Sequence, residues 1–139
     1  FLQVTKMKKK KLRGYIFSRS FMNERAPQHV QNIVIRDYCE KNNFLYLLSS
    51  VEYVMQSCHL MLQQTLNEIK SIDGIVAYSL FQLPENKQQR LKVYKKILDL
   101  KKEIHFSVEN LKIVKKKDIE KIENIWMVRQ ALPHCLKKL

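Results

Sequence analysis

The order of apolar and polar segments predicts one α/β domain in three layers, a mostly parallel sheet of four or five strands flanked by helices. Three observations predict it. Short apolar runs alternate with segments of helical period, the pattern of successive βαβ units. One run, Phe44-Leu45-Tyr46-Leu47-Leu48, is almost unbroken, as a strand covered on both faces requires. Only two Gly and three Pro occur in 139 residues, which leaves little chain for long loops.

The elements follow in order. Residues 12–17, LRGYIF, form the first strand, and Ser18-Arg19-Ser20 ends it. Pro27 suits the first turn of a helix because its missing N–H costs nothing there. That helix covers 28–41, with Val30, Val34 or Ile33, and Tyr38 toward the sheet and Arg36, Asp37 and Glu40 toward solvent. Asn42-Asn43 breaks it. Residues 44–48 are the second strand, and 49–52 begin a loop. The second helix starts between 53 and 57, and Ser57 is placed to cap it. Asp73-Gly74 turns into the third strand, 75–78, which ends in a polar loop reaching Asn86. Leu91, Tyr94, Ile97, Leu98 and Leu100 mark the inner face of a third helix, with Lys87, Arg90, Lys92 and Lys95 on its other faces. Residues 103–108 are the fourth strand, 111–114 a small edge extension, and 118–130 the last helix, which Pro133 terminates. Right-handed crossovers join these strands into one sheet.

Length and composition fit a single domain covering 12–136, with a flexible basic segment at 1–11 and a basic tail at 137–139. Residues 1–6 read as preceding a natural start at Met7. No apolar run reaches the roughly 20 residues that span a bilayer, so no integral membrane segment is expected. The lysines at 8–11 lead into strand-like sequence rather than a long apolar segment, so no leader is expected either. Three dispersed Cys without CxxC spacing point to a reduced, cytoplasmic protein. The formal net charge is +13, which suits nucleic acid, anionic lipid, nucleotides or phosphorylated sugars. Most of that charge is lysine, a flexible point charge rather than a rigid fork.

Candidate chemistry gathers at the C-terminal ends of the strands, where such sheets place ligands. After the first strand, Arg19 and Arg25 are candidates to grip a phosphate or carboxylate, with Gln28 beside them. Ser18 and Ser20 are candidate nucleophiles, and each needs an activating base. His29 is the nearest one in sequence, and Glu52, after the second strand, is a second acid/base. Ser49 accompanies Glu52. The loop 78–86 supplies Tyr78, Ser79, Gln82 and Asn86 to read polar substrate groups, and Glu85 is placed to cap the next helix. The fourth strand supplies His105 and Glu109. Cys58-His59 is a suggestive pair, but adjacent helical residues point in different directions. HExxH, CxxC, GxGxxG and GxxxxGK[ST] are all absent, so no metal and no cofactor is expected.

The blocks RGYIFSRSF, ERAPQHVQNIVIRDYC, DGIVAYSLFQLPEN and IENIWMVRQALPHC resemble a small protein family of sporadic bacterial carbohydrate-biosynthesis clusters, over about 12–136. That resemblance implies a role in surface-glycan or unusual-sugar biosynthesis. More distantly, GYIFSRSF is similar to the opening strand, active serine and arginine of serine-recombinase catalytic domains, and DGIVAYSLFQLPEN to their later strand and arginine-bearing loop. This implies a resolvase-like or flavodoxin-like sheet. The sequence departs from that family at 81–85, which lacks the paired arginines, and neither Ser18 nor Ser20 falls well at the nucleophile's place. No clear helix-turn-helix segment follows.

Two functions are therefore expected. The first is a small enzyme acting on a phosphorylated or nucleotide-linked sugar, with Arg19 and Arg25 holding the anion and His29 or Glu52 moving a proton. The alternative is a noncatalytic nucleic-acid-binding or pathway-scaffolding protein with a degenerate recombinase-like site. A homodimer is expected through the apolar late helix around Trp126.

Overall fold

A computed structural model describes residues 9–22, 25–55 and 59–137, with side chains described as far as Leu132. The sheet grows outward from β1 (Lys11–Phe17). Strand β2 (Leu45–Glu52) lies parallel on one side, and β3 (Gly74–Ala77) lies parallel on the other. Next come β4 (Glu103–Phe106), parallel to β3, and β5 (Leu111–Ile113), antiparallel to β4, giving the order β2-β1-β3-β4-β5. The helices are α1 (Gln28–Lys41), α2 (Leu60–Asn67), α3 (Lys87–Asp99) and α4 (Lys116–Lys137). This is the three-layer, mostly parallel α/β architecture expected.

Strand alternation divides the core in two. Leu12, Ile16 and Val76 face Ile35, Tyr38 and Cys39 of α1. Tyr15, Phe17, Ile75, Ala77, Ile104 and Phe106 face the opposite way, onto α2, α3 and α4. β3 and β4 are buried at every position; β3 reads as an apolar run for that reason, whereas β4 buries Glu103 and His105 beside Ile104 and Phe106.

Several expectations change. The inner face of α1 is Gln31, Ile35, Tyr38 and Cys39, whereas Ile33 is exposed and Val30 and Val34 are half-buried. β2 continues through Ser49, Ser50 and Val51 to Glu52 instead of opening into a loop, because its pairing with β1 resumes after an irregularity. There Leu48 and Ser49 together oppose Gly14, a bulge that Gly14 permits: a Cβ at 14 would run into the Ser49 hydroxyl. The third change is Arg90, which is buried in α3's inner stripe with Val93, Tyr94 and Ile97 rather than displayed outside. The fourth is α4, which passes through Pro133 to Lys137; a proline this near the C-terminus removes one hydrogen bond without ending the helix.

The helix ends have local causes. Asn43 takes the left-handed conformation (φ 59°) that stops α1, and Asn42 Nδ2 donates to the Tyr38 carbonyl at 2.8 Å. Asn86, not Glu85, caps α3, its side chain accepting from the Gln89 N–H at 3.1 Å. The expected cap at Ser57 and the candidate Cys58 lie outside the described residues.

Candidate functional site

The C-terminal edge of the sheet carries a buried chain of polar side chains that crosses from α1 to the β4–β5 turn. Gln31, from α1, brackets the end of β1: its Oε1 accepts from Phe17 N–H at 3.0 Å, and its Nε2 donates to Phe17 O at 2.9 Å and Ala26 O at 2.8 Å. Gln82 Nε2 donates to Gln31 Oε1 at 2.8 Å. Gln82 belongs to a 3-10 turn, Leu80–Gln82, and its Oε1 closes a capping box with Ser79. The Ser79 hydroxyl accepts from Phe81 N–H and donates to Glu109 Oε2 at 2.7 Å; Glu109 Oε1 accepts from Leu80 N–H at 3.0 Å. Gln31 and Gln82 are fully buried and Ser79 nearly so. A buried network in which each member has its partner is rigid, and it leaves these amides and hydroxyls committed to the chain itself.

Glu52 lies one strand away and is buried. Its carboxylate accepts from Tyr15 Oη at 3.0 Å and from the backbone N–H groups of Tyr53, Met61 and Leu62 at 3.1–3.2 Å. Two of those donors belong to the first turn of α2, so Glu52 satisfies orphan N–H groups where the helix dipole favours negative charge. Ser18 donates its hydroxyl to the Glu52 carbonyl at 2.8 Å. Arg19 reaches the Tyr53 carbonyl at 2.6 Å and lies over the Phe17 ring at 4.1 Å.

The other predicted residues are dispersed. Ser20, Arg25, Gln28 and His29 are exposed and make no hydrogen bond or ion pair among the described residues. Ser49 sits within β2 rather than beyond it, bonded to Tyr46 and Asn32 at 2.7 Å each. Tyr78 is half-buried, its ring edge-on to Phe21. Asn86 is the α3 cap. Among the described residues, the structure thus joins Ser79, Gln82 and Glu109 to one another and Ser18 to Glu52, and does not bond His29 to either serine.

Two further polar clusters were not expected, although His105 of the second was a candidate residue. Arg90 donates through Nε and Nη2 to both oxygens of Glu123, at 2.9 and 2.8 Å, and through Nη1 to the carbonyls of Pro84 and Glu85 at 3.1 and 2.7 Å. It also stacks on Trp126 at 4.1 Å. Burial pushes the Glu123 carboxyl up, but Arg90 and the Tyr94 hydroxyl outweigh it and hold it below its ordinary range. Burial, then Glu123, drives the Tyr94 phenol up. On the α1 side, His105 joins Tyr38 Oη at Nδ1 (2.6 Å) and Glu103 at Nε2 (2.7 Å), and Lys10 closes the row on Glu103 at 3.0 Å. The His105 hydrogen bond is the main cause that holds the Glu103 carboxyl at about 2. Burial raises Tyr38 to about 12 and Cys39 to about 11, so Tyr38 keeps its proton to donate and Cys39 stays a thiol. Spacing does carry a trace of the strand-end network and of the Arg90 cluster: Gln31 lies at helical intervals from Ile35 and Tyr38, and Arg90 from Val93, Tyr94 and Ile97.

Two hollows of the surface are lined mainly by helices. One of about 440 Å³ is lined by Phe81, Ile125, Val128, Arg129 and Leu132, among others, and one of about 300 Å³ by Lys92, Lys95, Lys96, Asp99 and Leu100. No helix of the described residues is long and apolar enough to cross a membrane.

No sequence family matches the chain, and no curated protein is similar to it in sequence. Solved structures are similar in fold. The N-terminal catalytic domain of TP901-1 integrase matches with a TM-score of 0.62 at 15% identity, over 93% of this chain and 98% of that one. A resolvase family site-specific recombinase from Streptococcus pneumoniae matches with a TM-score of 0.57 at 12% identity, over 91% and 97%. The chain has the fold of a resolvase-like catalytic domain, and at these identities the likeness concerns the fold alone.

Proposed function

We propose that this chain is a noncatalytic nucleic-acid-binding module on a resolvase-like fold. One observation carries the reading. Gln31, Gln82, Ser79, Glu52 and Ser18 at the strand ends, where a reaction would be expected, are bonded to each other and to backbone, while most of the unpaired cationic groups lie elsewhere on the surface, Arg25 being the exception among the strand-end candidates. A nucleophilic serine needs a base and positive support for the transferred group. Ser18 instead donates to a backbone carbonyl, and 81–85 contains no arginine. Less supports an enzyme of carbohydrate biosynthesis acting on a phosphorylated or nucleotide-linked sugar: Ser79, Gln82 and Asn86, expected to read that substrate, are already bonded within the chain.

The test is fluorescence anisotropy with labelled nucleic acid across a salt series, alongside a gel assay for strand cleavage and covalent attachment. Binding should weaken linearly on a log–log plot, with a slope near −0.9 per phosphate contact on duplex DNA. Covalent attachment, or binding indifferent to salt, would contradict the reading. The proposal includes a homodimer. Trp126 is not its contact, being fully buried within the chain, whereas Met127, Val128 and Leu132 of α4 are exposed. Light scattering on the purified protein should give twice the 16.7 kDa chain mass, and a monomer at micromolar concentration would remove that part.

A further inference from the structure

We propose that the nucleic-acid contact is a lysine surface at the end of the sheet opposite the polar network, formed by α3, the β4–β5 hairpin base and the start of α4, and that it binds the phosphates of duplexes without regard to sequence. This rests on the nucleic-acid reading above and assigns it a place and a substrate form.

Charge comes first. Eleven lysines lie between 87 and 121, all exposed except the half-buried Lys102, and none forms an ion pair among the described residues. The exposed carboxylates of that stretch are only Asp99 and Glu120. Asp118 is engaged, accepting from the backbone N–H groups of Val114 and Lys115 at 3.0 Å each.

Topology then brings the lysines together. Lys92, Lys95 and Lys96 share one face of α3, with Asp99 one turn on, and line the 300 Å³ hollow. α3 ends where β4 begins, next to Lys101 and Lys102. β5 returns antiparallel, Ile104 opposite Ile113, and so delivers lysines 115–117 to the same end of the sheet. The 13 residues of α3 extend for about 20 Å, the length of roughly six base-pair steps.

Lys101 follows α3 with φ 58°, the left-handed position that helix ends usually give to glycine, and there its N–H and that of Lys102 close the helix on the carbonyls of Leu98 and Ile97 at 3.0 and 2.9 Å, which holds the two lysines at this end of the sheet.

The chemistry of the surface selects the ligand. It carries no arginine fork, since Arg90 is buried, so it has no planar donor to read base edges. It displays no aromatic ring on which unpaired bases could stack, which disfavours single strands. Its exposed apolar groups are limited to Leu91 and Val114, too little to enter a lipid surface.

The experiment compares the full chain with K92Q/K95Q/K101Q, with K115Q/K116Q/K117Q, with their combination, and with R25Q/R36Q as a control elsewhere. The probes are a 24-base-pair duplex, an unrelated duplex, the single strand, and vesicles rich in anionic lipid. The combined variant should lose about four of the phosphate contacts, flattening the salt slope by about 4 and weakening binding roughly a hundredfold or more at moderate salt. The control should bind as the parent does. The two duplexes should agree within about threefold, with the single strand about tenfold weaker. K101G should raise the thermal midpoint yet lower affinity, a split that a structural role would not give. If the parent binds no nucleic acid at low salt, the functional reading fails. If it binds and only R25Q/R36Q weakens it, that reading stands and the surface assignment is overturned. Tighter binding to single strands or vesicles than to duplex overturns the choice of ligand.

Discussion

Replacing Arg90 by Met tests what ties α3 and α4 to the strand-end loop. Met keeps an apolar stem against Trp126 and removes the guanidinium. Four hydrogen bonds disappear: two to Glu123 and one each to the carbonyls of Pro84 and Glu85. Glu123 is left as a carboxylate with a side chain only 12% exposed, supported by the Tyr94 hydroxyl. Breaking a buried pair from one side costs about 3–5 kcal/mol, because the remaining charge has lost its partner. Against a total stability of roughly 5–15 kcal/mol that is a large fraction, and it lowers the melting temperature by about 10–20 °C for a chain of this length. Trp126, the single tryptophan, stacks on Arg90, so its fluorescence follows urea unfolding at the site itself. R90M/E123L removes both charges and should recover much of the loss. The Glu123 carboxyl lies below its ordinary range when folded, so its contribution is present above the unfolded carboxylate range and disappears as pH falls through the folded value. R90M should abolish that acid-side dependence. A loss under about 1 kcal/mol, with the acid dependence intact, would refute the account of Arg90 as a buried tie and reduce it to a surface pair.

Two other perturbations have clear signs. Glu103 is held at about 2 against an ordinary 4.5, so its stabilisation is complete above about 4.5 and is lost as pH drops from there to about 2. E103Q should cost up to about 3 kcal/mol at pH 7 and almost nothing near pH 2, and urea midpoints that run parallel for both proteins across that interval would contradict it. At the bulge, G14A pushes a methyl group into the Ser49 hydroxyl and against the Tyr46 ring, both fixed by Asn32. Overpacking of this kind costs about 1–3 kcal/mol, and G14A/S49A should recover part of it in the same urea assay, whereas equal losses in both variants would show that the serine is not the obstacle.

How far the sequence is legible depends on which force decided each element. Order and class were readable because apolar period reports burial, as in β3, which is apolar and buried throughout. The same logic misplaced α1's inner face and Arg90 for one reason. It treats buried as apolar, yet Gln31 and Arg90 are buried because backbone carbonyls, Phe17 N–H and Glu123 satisfy their polar atoms. Phe17 and Glu123 lie 14 and 33 residues away in the chain, and local pattern does not carry them. The end of β2 was misread similarly: Ser49 and Ser50 look like loop, but the bulge at Gly14 lets pairing resume, and Asn32 and Thr65 take up their hydroxyls.

The candidate site was legible as a place, while the bonds that hold its polar groups within the chain were not. Ser79, Gln82 and Glu109 do meet at the strand ends, as the order of elements implied. What the sequence lacked was Gln31, whose amide turns that meeting into a closed circuit. A free glutamine amide and a committed one look identical in sequence and differ by the cost of breaking existing bonds, about 1–3 kcal/mol for each buried group left unpaired. A ligand entering between Gln31 and Gln82 would have to replace the 2.8 Å bond between them as well as the Phe17 contacts that keep Gln31 in place. The lysines of α3 and the hairpin base have less to exchange: among the described residues none is in an ion pair and Lys96 alone gives up a side-chain hydrogen bond, to Asn67 at 2.6 Å, while a phosphate that meets them releases bound counterions. The difference between those two costs is the physical reason to look for the ligand on the lysine surface rather than at the strand ends.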